Sequence, residues 1–338
     1  MKKLPKVSVI IPLRKLSYYL LFENLPEMAK QTYRKFEVIV LPNEHGQYDL
    51  TLLKQYKWLR IIPTGKITRP AEKRDIGVKN AKGEIIAFID DDAYPDPNWI
   101  TSAVSFFASK KAAVVCGPGV LPKRTNGWEQ IFDEVLKSPI GSGGYEYRFT
   151  RRRARYVDDY PSMNFFIRKK LFQKLGGFNS DYWPGEDSKL CNDIIVKERG
   201  KIYYHPDVLV YHHRRGDFGG YLKQHANYGF HRGAFFAHGD KNSRNVVYIV
   251  PTMFVIYLIT LPLTYLLLAR ISLLPLGLYG ILLSYLVLRT FVNTLSAPVA
   301  LGSALVLVST HLIYGINFVK GFLKGINKSA SIYGKKTD

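Results

Sequence analysis

The most prominent pattern in the chain is a set of three long uncharged stretches towards its C-terminal end. They cover residues 246–269, 271–288 and 290–319, and a single arginine separates each from the next. About 20 apolar residues in a helix are enough to cross the hydrocarbon core of a bilayer. Helices of a soluble core normally keep a polar stripe, which these stretches lack. The pattern therefore predicts a transmembrane region of two or three helices over residues 246–320.

The third stretch leaves the number of full spans open. It contains Pro298, His311 and several glycine and serine residues, which favour a re-entrant or interfacial segment. Positively charged flanks tend to stay in the cytoplasm, whereas three spans would place the basic tail at 321–338 outside. By the same rule, Lys241 and Arg244 before the first span predict a cytoplasmic N-terminal part. We expect a multi-pass protein of the cell membrane with its polar domain in the cytoplasm.

The N-terminal part alternates between short apolar runs and helix-like segments. The runs cover residues 5–12, 36–42, 84–90 and 111–117 and are rich in β-branched residues. Continuous apolar runs of this length are typical of strands buried on both faces of a parallel sheet. Segments such as YYLLFENLPEMAKQ and RPAEKRDIGVKNAKG lie between them. The alternation predicts an open α/β sheet, whose ligands bind beyond the carboxyl ends of the strands.

Charge and composition narrow the function further. The 338 residues carry 48 Lys and Arg against 27 Asp and Glu, a formal charge of +21, which points to polyanionic partners. The segment at 217–245 mixes aromatic and basic residues in a way that fits an interfacial amphipathic helix better than a nucleic-acid surface, so no nucleic-acid partner is expected. Walker loops, GxGxxG, HExxH and CxxC motifs are absent, which argues against ATPases, dehydrogenases and zinc enzymes.

A second basic segment, GSGGYEYRFTRRRARY at 141–156, combines glycines with four closely spaced arginines. Three interpretations stay open for it. A flexible basic loop could close over a phosphorylated ligand. It could instead rest on anionic lipid headgroups, or simply be a solvated loop.

Three consecutive carboxylates, Asp90, Asp91 and Asp92, follow the predicted strand at 84–89. Carboxylates at this spacing repel one another unless a positive charge lies among them. Mg²⁺ and Mn²⁺ prefer oxygen ligands that water and substrate phosphates complete. The sequence therefore predicts a divalent metal site, although a turn rich in Asp and Pro would read similarly.

Taken together, several motifs resemble the inverting family-2 glycosyltransferases of GT-A fold. They are VSVIIP, QTYRKFEVIV, AKGEIIAFIDDDAYPDPNWI and GGFNSDYWPGEDSKL. The resemblance covers roughly residues 6–215. It implies an α/β GT-A domain, of the nucleotide-diphospho-sugar transferase or Rossmann-like type, at 1–215. A juxtamembrane segment at 216–245 and C-terminal transmembrane helices would follow.

The resemblance also implies a role for each matching residue. Asp187 would be the catalytic base, with Glu186 and Trp183 on the acceptor side. A metal, Mn²⁺ or Mg²⁺, would be held by Asp92, Asp90 and His213, with His212 as second choice. The nucleotide sugar would contact Pro12, Glu44, Arg74, Asp90 and Asp91.

Departures from the family pattern leave the donor open. Asp75 follows Arg74 where relatives often have Asn, and Glu44 follows the second strand where they usually place an Asp pair. UDP, GDP and TDP sugars all stay open, as does the oligomeric state.

The function predicted is transfer of a sugar from a nucleoside-diphosphate sugar to a membrane-associated acceptor. The acceptor would be a lipid-linked saccharide or a surface polysaccharide. The alternatives are a polyprenyl-phosphate glycosyltransferase, in which Asp187 would only position groups, and a non-catalytic membrane scaffold that binds acidic polymer or lipid.

Overall fold

A computed structural model describes residues 4–44, 50–110, 112–178, 185–239 and 241–326. They form two compact units. The described residues of the first unit are those within 4–122 and 150–212, and those of the second lie within 123–149 and 213–326. The sequence predicts a continuous domain over 1–215, whereas the structure assigns 123–149 to the second unit. The reason is the helix within this segment, whose Phe132 and Val135 pack with Tyr221 and Leu286.

The described residues of the first unit form two sheets with eleven strands. They are β1 (Val7–Pro12), β2 (Phe36–Leu41), β3 (Leu59–Ile61), β4 (Ile85–Ile89), β5 (Ala93–Pro95), β6 (Val114–Cys116), β7 (Gly119–Val120), β8 (Arg155–Val157), β9 (Asn164–Arg168), β10 (Ile202–Tyr204) and β11 (Val210–His212). The large sheet has the order β3-β2-β1-β4-β9-β6-β10-β8, and the small one has the order β5-β11-β7.

The first half of the large sheet is parallel, as the apolar runs predict. Strand β1 pairs in parallel with both β2 and β4, with Val7 opposite Phe36 and Ile85. All residues of β1, β2 and β4 are buried. The α/β fold class predicted from the sequence is therefore confirmed, with the core on both faces of these strands.

The second half of the sheet is mixed, which the sequence does not predict. Strand β9 runs antiparallel to both β4 and β6, with Phe166 opposite Ala87 and Val115. Its aromatic run leads directly into a helix at Lys169, so the strand signal is short and easily overlooked. The mixed sheet matters for the site, because it places Asn164 opposite Ile89 at the carboxyl end of β4. Ser162, two residues earlier, donates its backbone N–H to Asp187.

Seven α-helices precede residue 200 along the described chain. They are α1 (Leu25–Ala29), α2 (Pro70–Asn80), α3 (Trp99–Ser109), α4 (Gly127–Leu136), α5 (Pro139–Ser142), α6 (Lys169–Lys174) and α7 (Glu186–Val196). Pro70 begins α2 at a position where its missing N–H costs nothing. Asn126 and Glu129 form a reciprocal capping box at the start of α4.

The second unit adds four long helices: α8 (Phe218–Ala237), α9 (Val250–Leu268), α10 (Leu274–Thr294) and α11 (Ala297–Ile326). Val250–Thr294 and Ala297–Gly325 are helical stretches long and apolar enough to cross a membrane. Many of their large side chains are exposed, Leu266 by 82% among them. Such exposure is what lipid contact requires and what a soluble core avoids.

The third uncharged stretch begins with the end of α10 and continues from Ala297 as one helix without a break, α11. Pro298 is the second residue of the helix, where a missing backbone donor is tolerated. The basic tail predicted at 321–338 lies outside the described residues from 327 onwards.

Helix α8 packs along α11 through glycines. A methyl group on Gly229 or Gly233 would overlap the carbonyl oxygens of Tyr314 and Phe318. A methyl group on Gly321 would likewise overlap the Phe230 carbonyl oxygen. Small residues four apart allow such close approach of helix backbones.

Candidate active site

Two carboxylates and one imidazole converge at the carboxyl end of β4. Asp90 and Asp92 follow the strand, and His212 ends β11 in the neighbouring sheet. One ligand atom from each residue lies within 4.8 Å of the others, and the His212 Nε2 lies 3.0 Å from Oδ1 of Asp92. All three side chains are partly exposed, so a soluble ligand could reach them.

His212, and not His213, supplies the imidazole of this group. The first-choice prediction of His213 thus differs from the structure. The Nδ1 of His213 lies 2.7 Å from Oε1 of Glu129, and both side chains are buried. The two histidines are adjacent, and a sequence cannot tell which of them meets a carboxylate 84 residues away.

Arg74 lies between Asp90, a carboxylate of the candidate metal site, and the start of α7. Its Nη2 lies 2.7 Å from Oδ1 of Asp90, and its Nη1 lies 3.7 Å from Oε1 of Glu186. The side chain is buried, and the neighbouring carboxylates of Asp90, Asp187 and Glu186 outweigh burial and raise its pKa. Arg74 therefore stays cationic and holds acidic groups from two elements together.

Asp187 is placed at the first turn of α7, which begins after Gly185 in a positive-φ conformation (φ 131°). The Ser162 backbone N–H donates to Oδ2 of Asp187 at 3.1 Å. The other oxygen, Oδ1, is buried and accepts no hydrogen bond from the described residues. Burial raises the pKa of Asp187, and it also raises the pKa of Glu186, next to the Asp187 charge.

Asp187 thus has a carboxyl group of raised pKa and one oxygen that accepts no hydrogen bond from the described residues. This arrangement suits a general base. The position agrees with the role that the resemblance implies for Asp187. Helix capping alone would not explain it, because the carboxylate accepts from Ser162 on another segment, 25 residues away in sequence.

Asp91 and Lys73 form a second pair of perturbed groups at this edge. Burial and the carboxylates of Asp92 and Asp90 raise the pKa of Asp91 to about 7. Burial and the nearby Arg14 charge lower the pKa of Lys73 to about 8. The Lys73 Nζ donates to the Leu13 carbonyl and to Oδ1 of Asn43.

Sequence reasoning missed Lys73, although it precedes Arg74 directly. Because its contacts join the ends of β1 and β2, it fixes the two loops where a nucleotide would lie. In the sequence, the one feature that points to Lys73 as a site residue is its position in the first turns of α2.

The remaining predicted residues lie at or after the ends of the first two strands or outside the described chain. Pro12 is the buried last residue of β1. Glu44 is exposed and pairs with Lys15 at 2.9 Å. Trp183 lies outside the described residues.

The donor set fits a divalent cation. Two carboxylate oxygens and one imidazole nitrogen at these distances suit a metal that accepts both ligand types. They leave further coordination positions for water and phosphate oxygens.

The chain is similar to known sequences over most of its length. The model of the family described as "Glycosyl transferase family 2" matches residues 8–176, half of the chain. A Methanococcus voltae relative is 20% identical over 335 residues, covering 94% of this chain and 98% of its own. It is named dolichyl N-acetyl-alpha-D-glucosaminyl phosphate 3-beta-D-2,3-diacetamido-2,3-dideoxy-beta-D-glucuronosyltransferase. A Haloferax volcanii glucosyl-dolichyl phosphate glucuronosyltransferase is 22% identical, covering 61% of this chain and 69% of its own.

A solved structure of similar fold is a mannosyltransferase from Pyrobaculum calidifontis in complex with GDP-Man and Mn²⁺. It has a TM-score of 0.62 and 17% sequence identity and covers 96% of this chain and 88% of that one. At this identity the likeness shows the fold.

Proposed function

The chain belongs to glycosyl transferase family 2, and from that premise we propose a membrane-bound, metal-dependent, inverting glycosyltransferase. The donor is a nucleoside-diphosphate sugar, and the acceptor is a saccharide linked to a membrane lipid. The observation that carries the proposal is that one buried guanidinium, that of Arg74, contacts both Asp90 of the Asp90–Asp92–His212 group and Glu186, the residue before Asp187.

Asp90, Asp92 and His212 would hold the metal. The imidazole in this set favours Mn²⁺ over Mg²⁺, since Mg²⁺ takes oxygen ligands almost exclusively. When bound, the ion supplies positive charge that stabilises the diphosphate leaving group. The Mn²⁺ in the Pyrobaculum mannosyltransferase structure supports this choice.

Asp187 would take the proton from the acceptor hydroxyl. The hydroxyl oxygen then forms a bond to the anomeric carbon, while the bond from that carbon to the diphosphate oxygen breaks. The electron pair leaves with the nucleoside diphosphate, and attack from the opposite side inverts the configuration. The Ser162 N–H fixes one oxygen of Asp187, which leaves Oδ1 to accept the proton.

The acceptor class rests on the relatives and on the apolar helices. Both relatives are named for dolichyl-phosphate-linked substrates. Two apolar helical stretches, Val250–Thr294 and Ala297–Gly325, would keep the enzyme in the bilayer that holds such a lipid. The basic flank at Lys241 and Arg244 supports a cytoplasmic active site, where nucleotide sugars are available.

The proposal is tested first by thermal shift on the full chain in detergent. UDP, GDP, TDP and CMP are each added with and without Mn²⁺ to the parent, Asp92→Asn and Asp158→Asn proteins. Asp158 is an exposed carboxylate of the same unit and is not among the proposed metal ligands, so its variant removes an equal charge without removing a ligand. We expect one nucleotide to stabilise the parent and Asp158→Asn proteins only when Mn²⁺ is present, and to leave Asp92→Asn unshifted.

A transfer assay with that nucleotide's sugar then distinguishes the acceptors. A lipid-linked saccharide should be glycosylated by the parent and poorly by Asp187→Asn. Transfer to polyprenyl phosphate that survives Asp187→Asn would show a phosphate nucleophile, which needs no base. Equal transfer by Asp92→Asn and the parent would refute the proposed site.

A further inference from the structure

The described chain carries a surface of concentrated positive charge that has no role in the transfer reaction as proposed. Its members, the arginine segment, are Arg151, Arg152, Arg153 and Arg155, and all four are exposed. The carboxylates that follow directly are Asp158 and Asp159, so the four arginines keep an excess of positive charge in this part of the sequence. In the described part of the chain, Arg151 and Arg153 form no ion pair.

The backbone of the arginine segment is held by hydrogen bonds, while its side chains are exposed. The buried Tyr204 donates its hydroxyl to the Thr150 carbonyl at 3.3 Å and accepts from the Arg152 N–H at 3.3 Å. Residues from Arg155 onwards form β8, which pairs antiparallel with β10. A backbone tied at both ends does not behave as a lid that folds over a ligand, so the segment presents a preformed surface.

An aromatic ring borders this surface. Tyr156 is 52% exposed, and the Lys201 Nζ lies 5.3 Å from the centre of its ring. Exposed tyrosines beside basic side chains are typical of the interface between membrane and water, where the ring lies at headgroup level.

Protection of a sheet edge explains only part of the pattern. Strand β8 is the last strand of the eight-stranded sheet, and charged side chains on edge strands prevent aggregation. Arg155 alone would serve that purpose. Arg151, Arg152 and Arg153 precede the strand and leave its edge unaffected.

We propose that the arginine segment is a docking surface for the headgroups of anionic lipids, separate from the apolar helices that enter the bilayer. Each basic residue near an anionic surface strengthens association about fivefold. Four of them on a fixed backbone would hold the first unit against an anionic leaflet. The inference does not depend on which sugar is transferred or on which residue acts as the base.

Hydrogen exchange on the full chain in lipid nanodiscs tests the proposal. The exchange of a peptide covering residues 149–157 is followed as phosphatidylglycerol replaces phosphatidylcholine. We expect protection that grows with the phosphatidylglycerol fraction and weakens at high salt, because exposed charges are screened. The peptide covering residues 50–58, which carries exposed lysines outside the segment, should exchange at one rate in both lipids.

Two variants of equal charge loss complete the test. In the first, all four arginines of the segment are replaced by Gln. The second replaces four exposed lysines elsewhere in the first unit by Gln: Lys54, Lys57, Lys79 and Lys82. The first variant should lose the lipid-dependent protection, and the second should keep it. Both should transfer sugar to a detergent-dispersed acceptor at the parental rate, so a failure of docking is distinguishable from a failure of the proposed reaction.

Three outcomes would overturn the inference. One is equal exchange of the peptide in both lipids. Another is protection in phosphatidylcholine nanodiscs on addition of inorganic pyrophosphate, which would identify a site for a soluble phosphorylated ligand. The third is self-association of the arginine variant with unchanged lipid response, which would assign the charges to edge protection.

Discussion

The Nη2 atom of Arg74 lies 2.7 Å from Oδ1 of Asp90, and this contact joins the carboxylate after β4 to α2, the helix that carries Arg74. The same guanidinium reaches Oε1 of Glu186 at 3.7 Å through Nη1. Only 5% of Arg74 is exposed, so water screens these attractions little. The Arg74 side chain therefore links Asp90 of the candidate metal site to Glu186, which the family resemblance places on the acceptor side.

Replacing Arg74 by Met should destabilise the protein strongly. The change leaves buried carboxylates without their counter-charge, which costs about 3–5 kcal/mol when a buried pair loses one partner. Arg74→Lys should recover part of this loss, since a single ammonium cannot reproduce a planar fork between two carboxylates. Thermal unfolding in detergent measures both. Arg60→Met is the control, because Arg60 is half-exposed near Glu37 and should cost at most about 1 kcal/mol. Equal losses at the two positions would contradict the linking role of Arg74.

Asp187→Asn should lower transfer to a hydroxyl acceptor by about 10²–10⁴-fold, the usual contribution of a general base. Donor binding should change little. Burial raises the pKa of Asp187, so in the parent the rate should rise with pH as the carboxylate loses its proton. That rising limb should be absent in the variant. Glu198→Gln, which removes an acid beyond the end of α7, serves as control. A parental rate, or an unchanged pH profile, in Asp187→Asn would rule out the base role.

The adjacent histidines should respond differently to the same substitution. His212→Gln removes an imidazole from the Asp90–Asp92 group and should weaken Mn²⁺ binding at least about tenfold. His213→Gln should leave Mn²⁺ affinity intact. It takes a partner from the buried Glu129 carboxylate and should lower stability by about 1–3 kcal/mol. Mn²⁺ titration followed by electron paramagnetic resonance, with thermal unfolding alongside, separates the two effects. Loss of Mn²⁺ affinity in His213→Gln would reverse the assignment.

The parts of the fold that the sequence predicts are those with a local signal. Continuous apolar runs identify β1, β2 and β4, and three consecutive aspartates identify the metal-type site. The parts that it misses depend on distant partners. Whether His212 or His213 meets Asp92 is decided by pairing across 120 residues. Lys73 gains its position from contacts with Leu13 and Asn43, and nothing in its local sequence reports them.

Asp75 should make stability depend on pH, and Asp75→Asn should remove that dependence. Burial raises the pKa of Asp75 to about 6, from 3.8 in the unfolded chain. Between these values the unfolded state loses its proton first, so stability falls as pH rises. Above pH 6, ionisation of Asp75 lowers the free energy of unfolding by about 1–3 kcal/mol.

The amide introduced by Asp75→Asn would keep an oxygen acceptor for the Phe178 N–H, which donates to Oδ1 of Asp75 at 3.1 Å. The substitution should therefore stabilise the protein at pH 8 and have little effect at pH 3.5. Unfolding measured at both values checks this. The exposed Asp158→Asn variant should show no such difference. A gain that is the same at both pH values would show that ionisation is not the cause.

The glycine contact between α8 and α11 should be intolerant of even one methyl group. A Cβ on Gly321 would overlap the carbonyl oxygen of Phe230, a backbone atom that no rotamer change can move. The two helices would have to separate along their length, with a loss of packing worth about 1–3 kcal/mol.

Gly280→Ala is a matched control on α10, because a methyl group there meets no other atom within 4 Å. Thermal unfolding by fluorescence-detected size exclusion should show a lower midpoint for Gly321→Ala and an unchanged or higher one for Gly280→Ala, since Ala favours helix over Gly by about 1 kcal/mol. Equal midpoints would mean that α8 and α11 do not approach closely through these glycines.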